Sequence, residues 1–97
     1  MTVSFHRLVQ KDVSEVMRYY EEESGTRLAD EFFEELMTSV NRCGENPERF
    51  HFDPCGLRRM NLPRFPFHFL YEIRRNDILI LVLRHHTRHP SFGLRRK

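Results

Sequence analysis

Arginine and histidine side chains gather in the second half of the sequence, in a pattern that could support RNA cleavage without a metal ion. Arg84, His85 and His86 form one run, Arg88 follows closely, and His68 lies in the preceding hydrophobic segment. Such cleavage needs a base for the 2′-hydroxyl, an acid for the leaving 5′-oxygen and fixed positive charge for the phosphate. Histidine can be the base or the acid, and arginine can supply the charge. The same residues also suit a surface that binds nucleic acid without cutting it.

Metal and nucleotide sites are not favoured by the spacing of the motifs. The sequence has neither of the common glycine-rich phosphate-binding loops and no nucleophile elbow. His85, His86 and His89 could share a zinc ion with Cys55 or His68. However, the first two are neighbours at a predicted strand end and point to opposite faces. We therefore predict no metal and no cofactor.

Length and composition indicate one small domain over residues 1–97. The chain is 39% hydrophobic, and its longest aliphatic run, Ile78 to Leu83, is far shorter than the roughly 20 residues that span a bilayer. The N-terminal residues lack the apolar core of a secretory signal. Cys43 and Cys55 form no C-x-x-C pair, so we expect two reduced thiols in a cytoplasmic protein with no membrane partner.

The two halves of the chain carry opposite charge. Residues 1–48 have five basic and eleven acidic side chains, whereas residues 49–97 have eleven basic and three acidic ones. Fourteen of the sixteen cations are arginine, which binds planar oxyanions through two hydrogen bonds. The asymmetry favours a polyanionic partner or an acidic protein partner for the second half. The alternative is that the two halves simply attract each other in the fold.

Hydrophobic periodicity predicts the elements that must position these residues. They are a strand over Val3–Val9, a helix from Gln10 to Ser24, a second helix ending at Asn46, and strands over Leu57–Leu62, Phe67–Ile73 and Asp77–Leu83. The last strand is apolar from Ile78 to Leu83, as is typical of a central strand buried on both faces. We predict an α+β fold in which a helical hairpin packs on one face of a mainly antiparallel four-stranded sheet. The other face and the C-terminal tail should then be basic.

Two segments of the predicted sheet also resemble a known family. They are Leu62-Pro-Arg-Phe-Pro-Phe-His-Phe-Leu-Tyr-Glu-Ile73 and Asp77-Ile-Leu-Ile-Leu-Val-Leu-Arg-His-His-Thr-Arg-His-Pro90. Both are similar to the RelE/ParE superfamily of bacterial toxins, of the plasmid-stabilisation type. The order of strand, two helices and three strands is also that of the family, so the resemblance covers nearly the whole chain. The resemblance implies a growth-inhibiting toxin of a type II toxin–antitoxin pair, bound and inhibited by a cognate antitoxin.

The superfamily implies one of two targets for such a toxin. RelE-like members are metal-independent endonucleases that cleave mRNA on the ribosome, whereas ParE-like members poison DNA gyrase without being nucleases. Residue by residue, Arg59 and Arg88 fall where RelE-type nucleases have a basic strand residue and a phosphate-stabilising arginine. His86 falls where the YoeB-type nucleases have a catalytic histidine. In a nuclease, His86 would be the base or acid, and His68 would assist.

Three departures from the nuclease pattern favour the ParE-like branch slightly. His68 replaces an arginine, Asn61 a lysine and Leu94 a tyrosine of that pattern. In a gyrase-directed toxin or a plain nucleic-acid-binding module, further residues would contact the target. The candidates are Arg58, Arg64, Arg84, His85 and Phe92. The oligomeric state is left open by the sequence, a homodimer included.

Overall fold

The computed structural model describes residues 1–96, and its helices and strands follow the predicted order. The elements are β1 (Thr2–Phe5), α1 (Val9–Ser24), α2 (Thr26–Glu45), a 3-10 turn (Pro47–Arg49), β2 (Arg58–Asn61), β3 (Phe67–Arg74) and β4 (Asp77–His85). The sheet has the order β1-β4-β3-β2, in which β1 runs parallel to β4 and the other pairs are antiparallel. The predicted α+β fold and the central position of β4 are confirmed. The first strand is shorter than predicted, because α1 begins at Val9.

The two helices form the hairpin that the sequence predicts. Gly25 separates them with a φ of 84°, a backbone conformation that side chains disfavour, and its N–H donates to the carbonyl of Glu21. The second helix ends where Asn46 precedes Pro47, as expected from the restriction that proline places on its neighbour. Within residues 1–96, neither helix is long and apolar enough to cross a membrane.

The core lies between the helices and one face of the sheet, and it is rich in aromatic rings. Phe32 of α2 is fully buried, and it contacts the rings of Tyr20, Phe65 and Phe67 at centroid distances of 5.5 to 5.9 Å. The contacts with Phe65 and Phe67 are edge-to-face, an arrangement that adds to the free energy gained from burying apolar surface. The hydroxyl of Tyr71, also in this core, donates to the carbonyl of Pro47 at 2.6 Å.

A β-bulge in β4 changes which side chains face the helices. Leu70 lies opposite Val82 and Tyr71 lies opposite Ile80, so Leu81 has no residue opposite it. In a regular strand, Ile80 and Arg84 would share one face, because side chains alternate. The extra residue reverses the alternation. Ile80 therefore points into the core, whereas Arg84 lies on the opposite face.

The C-terminal tail (residues 86–96) adds no strand, as Pro90 and Gly93 predict, but packs across that opposite face. Gly93 approaches Val82 so closely that a Cβ atom there would lie 2.6 Å from the valine side chain. Arg96 pairs with Asp12 of α1 through hydrogen bonds of 2.6 and 2.9 Å and also donates to the carbonyl of Leu81. The tail is thus fastened to both the sheet and the first helix.

Candidate functional site

Five polar residues meet where β2, β3 and β4 end beside one another. His68 of β3 lies opposite Arg84 of β4, and His86 follows the end of β4. Arg59 comes from the adjacent β2, and Asp53 from the loop before it. We call these five residues the His86 cluster. Arg59 and Asn61 share a face of β2, and Arg59 Nε donates to Asn61 Oδ1 at 2.8 Å.

Hydrogen bonds in the His86 cluster run in one direction, because arginine can only donate. Arg84 Nε donates to His68 Nε2 at 2.9 Å, so the proton of the neutral His68 ring lies on Nδ1. That Nδ1 is 3.0 Å from His86 Nδ1, which must therefore accept. Arg59 donates to the same His86 nitrogen at 3.3 Å. The remaining proton of a neutral His86 ring consequently lies on Nε2.

Both cluster histidines are held in the neutral state. Burial, reinforced by the nearby charges of Arg59 and Arg84, lowers the pKa of His68 to about 3. Loss of hydration and the charge of Arg59 lower the pKa of His86 as well. His68 is only 1% exposed, whereas His86 lies at the surface. The histidine chain thus carries no charge of its own near neutral pH.

Asp53 compensates the charge of Arg59. Its carboxylate accepts hydrogen bonds from the Arg59 guanidinium at 3.1 Å and from the Cys55 N–H at 3.0 Å. Burial alone would raise the pKa of this carboxyl, but these hydrogen bonds outweigh it and lower the pKa to about 2. Sequence reasoning missed Asp53, whose signal was an Asp-Pro step in the loop before the basic strand β2.

His85 and Arg88 lie on the other side of β4 from His86. This confirms that His85 and His86 point to opposite faces. The His85 ring packs on Phe67, and Arg88 stacks on Phe92 with 3.9 Å between the guanidinium carbon and the ring centroid. They line a groove of about 430 Å³ beside α1, which we call the α1 groove; Tyr19, 57% exposed, lies on its helical wall. Arg88 is therefore not among the contacts of the His86 cluster.

Comparisons with known proteins assign the fold and the family. A sequence model of the ParE toxin of the type II toxin-antitoxin system, parDE, matches residues 3–90. The chain belongs to the ParE toxin family. A solved structure of the chromosomal ParDE TA system from P. aeruginosa matches with a TM-score of 0.77 and 19% sequence identity, over 88% of this chain and 95% of that one. A comparison with curated proteins gave no match.

The other predicted binding residues of this ParE-family toxin are dispersed. Arg58 donates to the carbonyl of Phe50 at 2.8 Å and lies over the ring of Phe52. Arg64 forms an ion pair with Glu35 of α2 at 3.0 Å. Arg84 is 6% exposed, and its guanidinium is engaged inside the molecule. Their roles toward a target stay predictions.

Metal ligands do not come together in the part of the chain that the structure describes. No three His, Cys, Asp or Glu side chains of residues 1–96 lie close enough to hold one ion. His68 and His86 do face each other, but through a hydrogen bond between their ring nitrogens. Chemically, the His86 cluster provides hydrogen-bond donors in fixed positions, and these donors fix the tautomers of His68 and His86.

Proposed function

We propose that this ParE-family chain is a growth-inhibiting toxin that a cognate antitoxin neutralises, and that it acts by binding DNA gyrase rather than by cutting RNA. The observation that carries this choice is the state of His86, the candidate base or acid. Its Nδ1 accepts hydrogen bonds from both His68 and Arg59.

A general base needs a free lone pair directed at the proton it removes. The only lone pair of the neutral His86 ring is on Nδ1, and two donors already occupy it. A general acid would need the charged imidazolium, yet the surroundings of His86 lower its pKa. This arrangement therefore disfavours both nuclease roles for His86.

The two arginines that would supply positive charge at a reacting phosphate, Arg59 and Arg88, lie in separate places. Arg59 is paired with the ionised Asp53, which cancels most of its field. Arg88 stacks on Phe92 in the α1 groove, and its contacts do not include His86. Stabilisation of a transition state requires such charges to converge on one point. Their separation instead suits a surface that binds a macromolecule at several places.

Assays of purified toxin with each target test the proposal. We expect the wild-type chain to stop supercoiling by gyrase and to accumulate cleaved DNA complexes, while ribosome-bound mRNA stays intact. Added antitoxin should reverse the inhibition. His86→Ala should retain most of the gyrase inhibition, whereas Arg88→Ala should weaken it about tenfold, the effect of one lost charge-assisted contact.

The matched control is Arg27→Ala, which removes an exposed arginine from the start of α2. Its inhibition should equal that of the wild type. Cleavage of ribosome-bound mRNA that His86→Ala abolishes would instead establish the nuclease alternative. Normal growth during expression of the toxin alone would contradict both kinds of toxin and favour a plain nucleic-acid-binding module.

A further inference from the structure

Three buried anchors hold the C-terminal tail on the sheet and on the first helix. Arg84 donates from one guanidinium nitrogen to the carbonyls of Pro90 at 2.7 Å and Phe92 at 3.0 Å. Gly93 lies flat against Val82, and Arg96 is paired with the buried Asp12. Hydrogen bonds that involve a charged group are stronger than neutral ones, so the tail is firmly seated.

Arg84 connects this tail to the His86 cluster. Its Nε donates to His68 Nε2, while another nitrogen of the same planar group holds the two tail carbonyls. A guanidinium is rigid, so fixing one edge fixes the direction of the other. The lone pair of His68 therefore sets where Arg84 points, and Arg84 sets where the tail lies.

The tail in turn determines the position of Arg88. The ring of Phe92, whose carbonyl Arg84 holds, lies directly beneath the Arg88 guanidinium at 3.9 Å. Arg96 approaches the same ring, at 5.3 Å from its centroid. If Phe92 leaves its seat, Arg88 loses the surface on which it stacks. An exposed arginine at the α1 groove thus depends on the buried Arg84, which borders the same groove and is held by His68.

We propose that the His86 cluster is a positioning relay, in which His68 and Arg84 seat the tail and thereby orient Arg88 toward the toxin's target. This role rests on the proposed function, because it assumes that Arg88 contacts the target. His68 and Arg84 are then positioning residues, and neither touches the target itself. His86 and Arg59 support the relay from its other end by fixing the proton on His68.

Two substitutions of His68 test the relay directly in the free protein. His68→Gln keeps a neutral acceptor for Arg84, whereas His68→Leu fills similar space without one. Hydrogen exchange of the Phe92 and Leu94 amides, which are bonded to tail carbonyls, reports whether the tail is seated. We expect exchange at least about tenfold faster in His68→Leu and near the wild-type rate in His68→Gln. Equal exchange in the two variants would overturn the relay.

A second pair of variants leaves His68 and Arg84 unchanged, and only one of the two is expected to release the tail. Gly93→Ala places a Cβ atom against Val82, whereas Gly56→Ala has the same kind of positive φ but nothing within 4 Å of the new atom. Gly93→Ala should speed exchange of the tail amides and weaken gyrase inhibition about as much as Arg88→Ala does, roughly tenfold. Gly56→Ala should do neither. A seated tail or full inhibition in Gly93→Ala would contradict the inference.

The two measurements separate failure of the relay from failure of the proposed function. Tail exchange is measured without any target, so it tests the relay even if gyrase is not the target. A wild-type chain that does not inhibit gyrase overturns the proposed function. A variant with a released tail and unchanged inhibition overturns the role of Arg88 orientation.

Discussion

The two faces of the sheet are held by different forces. On the helix face, Phe32, Phe67 and Tyr71 pack with apolar side chains of both helices. On the opposite face, His68 and Arg84 are equally inaccessible to solvent, yet charge-assisted hydrogen bonds hold them. Burial of apolar side chains is non-directional and involves no titrating proton. The hydrogen bonds of His68 and His86, in contrast, depend on which ring nitrogen carries a proton. One face should therefore give the fold its stability, and the other should give it a precise surface that is sensitive to acid.

The largest effect is expected on the helix face. Phe32→Ala removes a fully buried ring from the centre of the aromatic core. The free energy of unfolding should fall by about 3 to 5 kcal/mol, from lost burial and the cavity left behind. Urea denaturation measures it. Phe33→Ala, which removes a neighbouring ring that is 43% exposed, is the control and should cost far less.

The next effect should appear only in acid and only on the opposite face. The folded pKa of His68 is about 3, below its unfolded value near 6.5. Between these two values, His68 is protonated in the unfolded chain but not in the folded one. The free energy of unfolding therefore decreases by about 1.4 kcal/mol for each unit that the pH falls from about 6.5 toward 3. The loss at pH 5 is about 2 kcal/mol. His68→Gln should remove that part of the acid dependence in denaturation series at pH 7 and pH 5.

An unchanged loss of stability between pH 7 and pH 5 in His68→Gln would break the comparison between the faces. It would mean that the acid sensitivity comes from elsewhere in the chain. Phe33→Ala again serves as a control, because it leaves the His86 cluster intact and should keep the full pH dependence.

Asp53 should add a second step at lower pH. Its folded pKa of about 2 lies below the ordinary value of 3.8, so its contribution is complete above about 4 and is lost as the pH falls toward 2. The contribution is about 2 kcal/mol, and Asp53→Asn should remove it at neutral pH. Asp30→Asn, at an exposed position of α2, is the control and should leave the stability at neutral pH unchanged. Thermal unfolding at pH 7 and pH 3 distinguishes the two variants.

The smallest effect belongs to an ion pair that lies outside both networks. The Arg64 side chain is 63% exposed, so its pairing with Glu35 is screened by water. Arg64→Ala should cost less than about 1 kcal/mol in chemical denaturation. Glu35 also accepts from the backbone N–H groups of Arg64 and Phe65, and these bonds survive the substitution. A larger loss of stability in Arg64→Ala would show that exposed ion pairs contribute more to the stability of this fold than expected from their screening by water.

Periodicity was sufficient to predict the helices, the order of the strands along the chain and the central position of β4. It could not predict the bulge at Leu81, because an apolar run gives no sign of which residue is left without a partner. That bulge decides that Arg84 joins the His86 cluster. The pairing of Asp53 with Arg59 depends on a loop whose path the sequence does not specify. The sequence thus predicted which residue types make up the candidate site, but not which of them form hydrogen bonds with one another.

The parallel pairing of β1 with β4 has a consequence for how the toxin is made. Thr2 pairs with Asp77, and Asp12 with Arg96 at a separation of 84 positions, so β1 and α1 are synthesised long before the residues they pair with. Helices form from local contacts and can appear early, whereas these pairings must close almost the whole chain. A ribosome therefore carries a nascent chain without the β1–β4 ladder until β4 has been translated. A message interrupted before the codon for Asp77 yields a helical hairpin that lacks β4 and, with it, the surface proposed to meet the target.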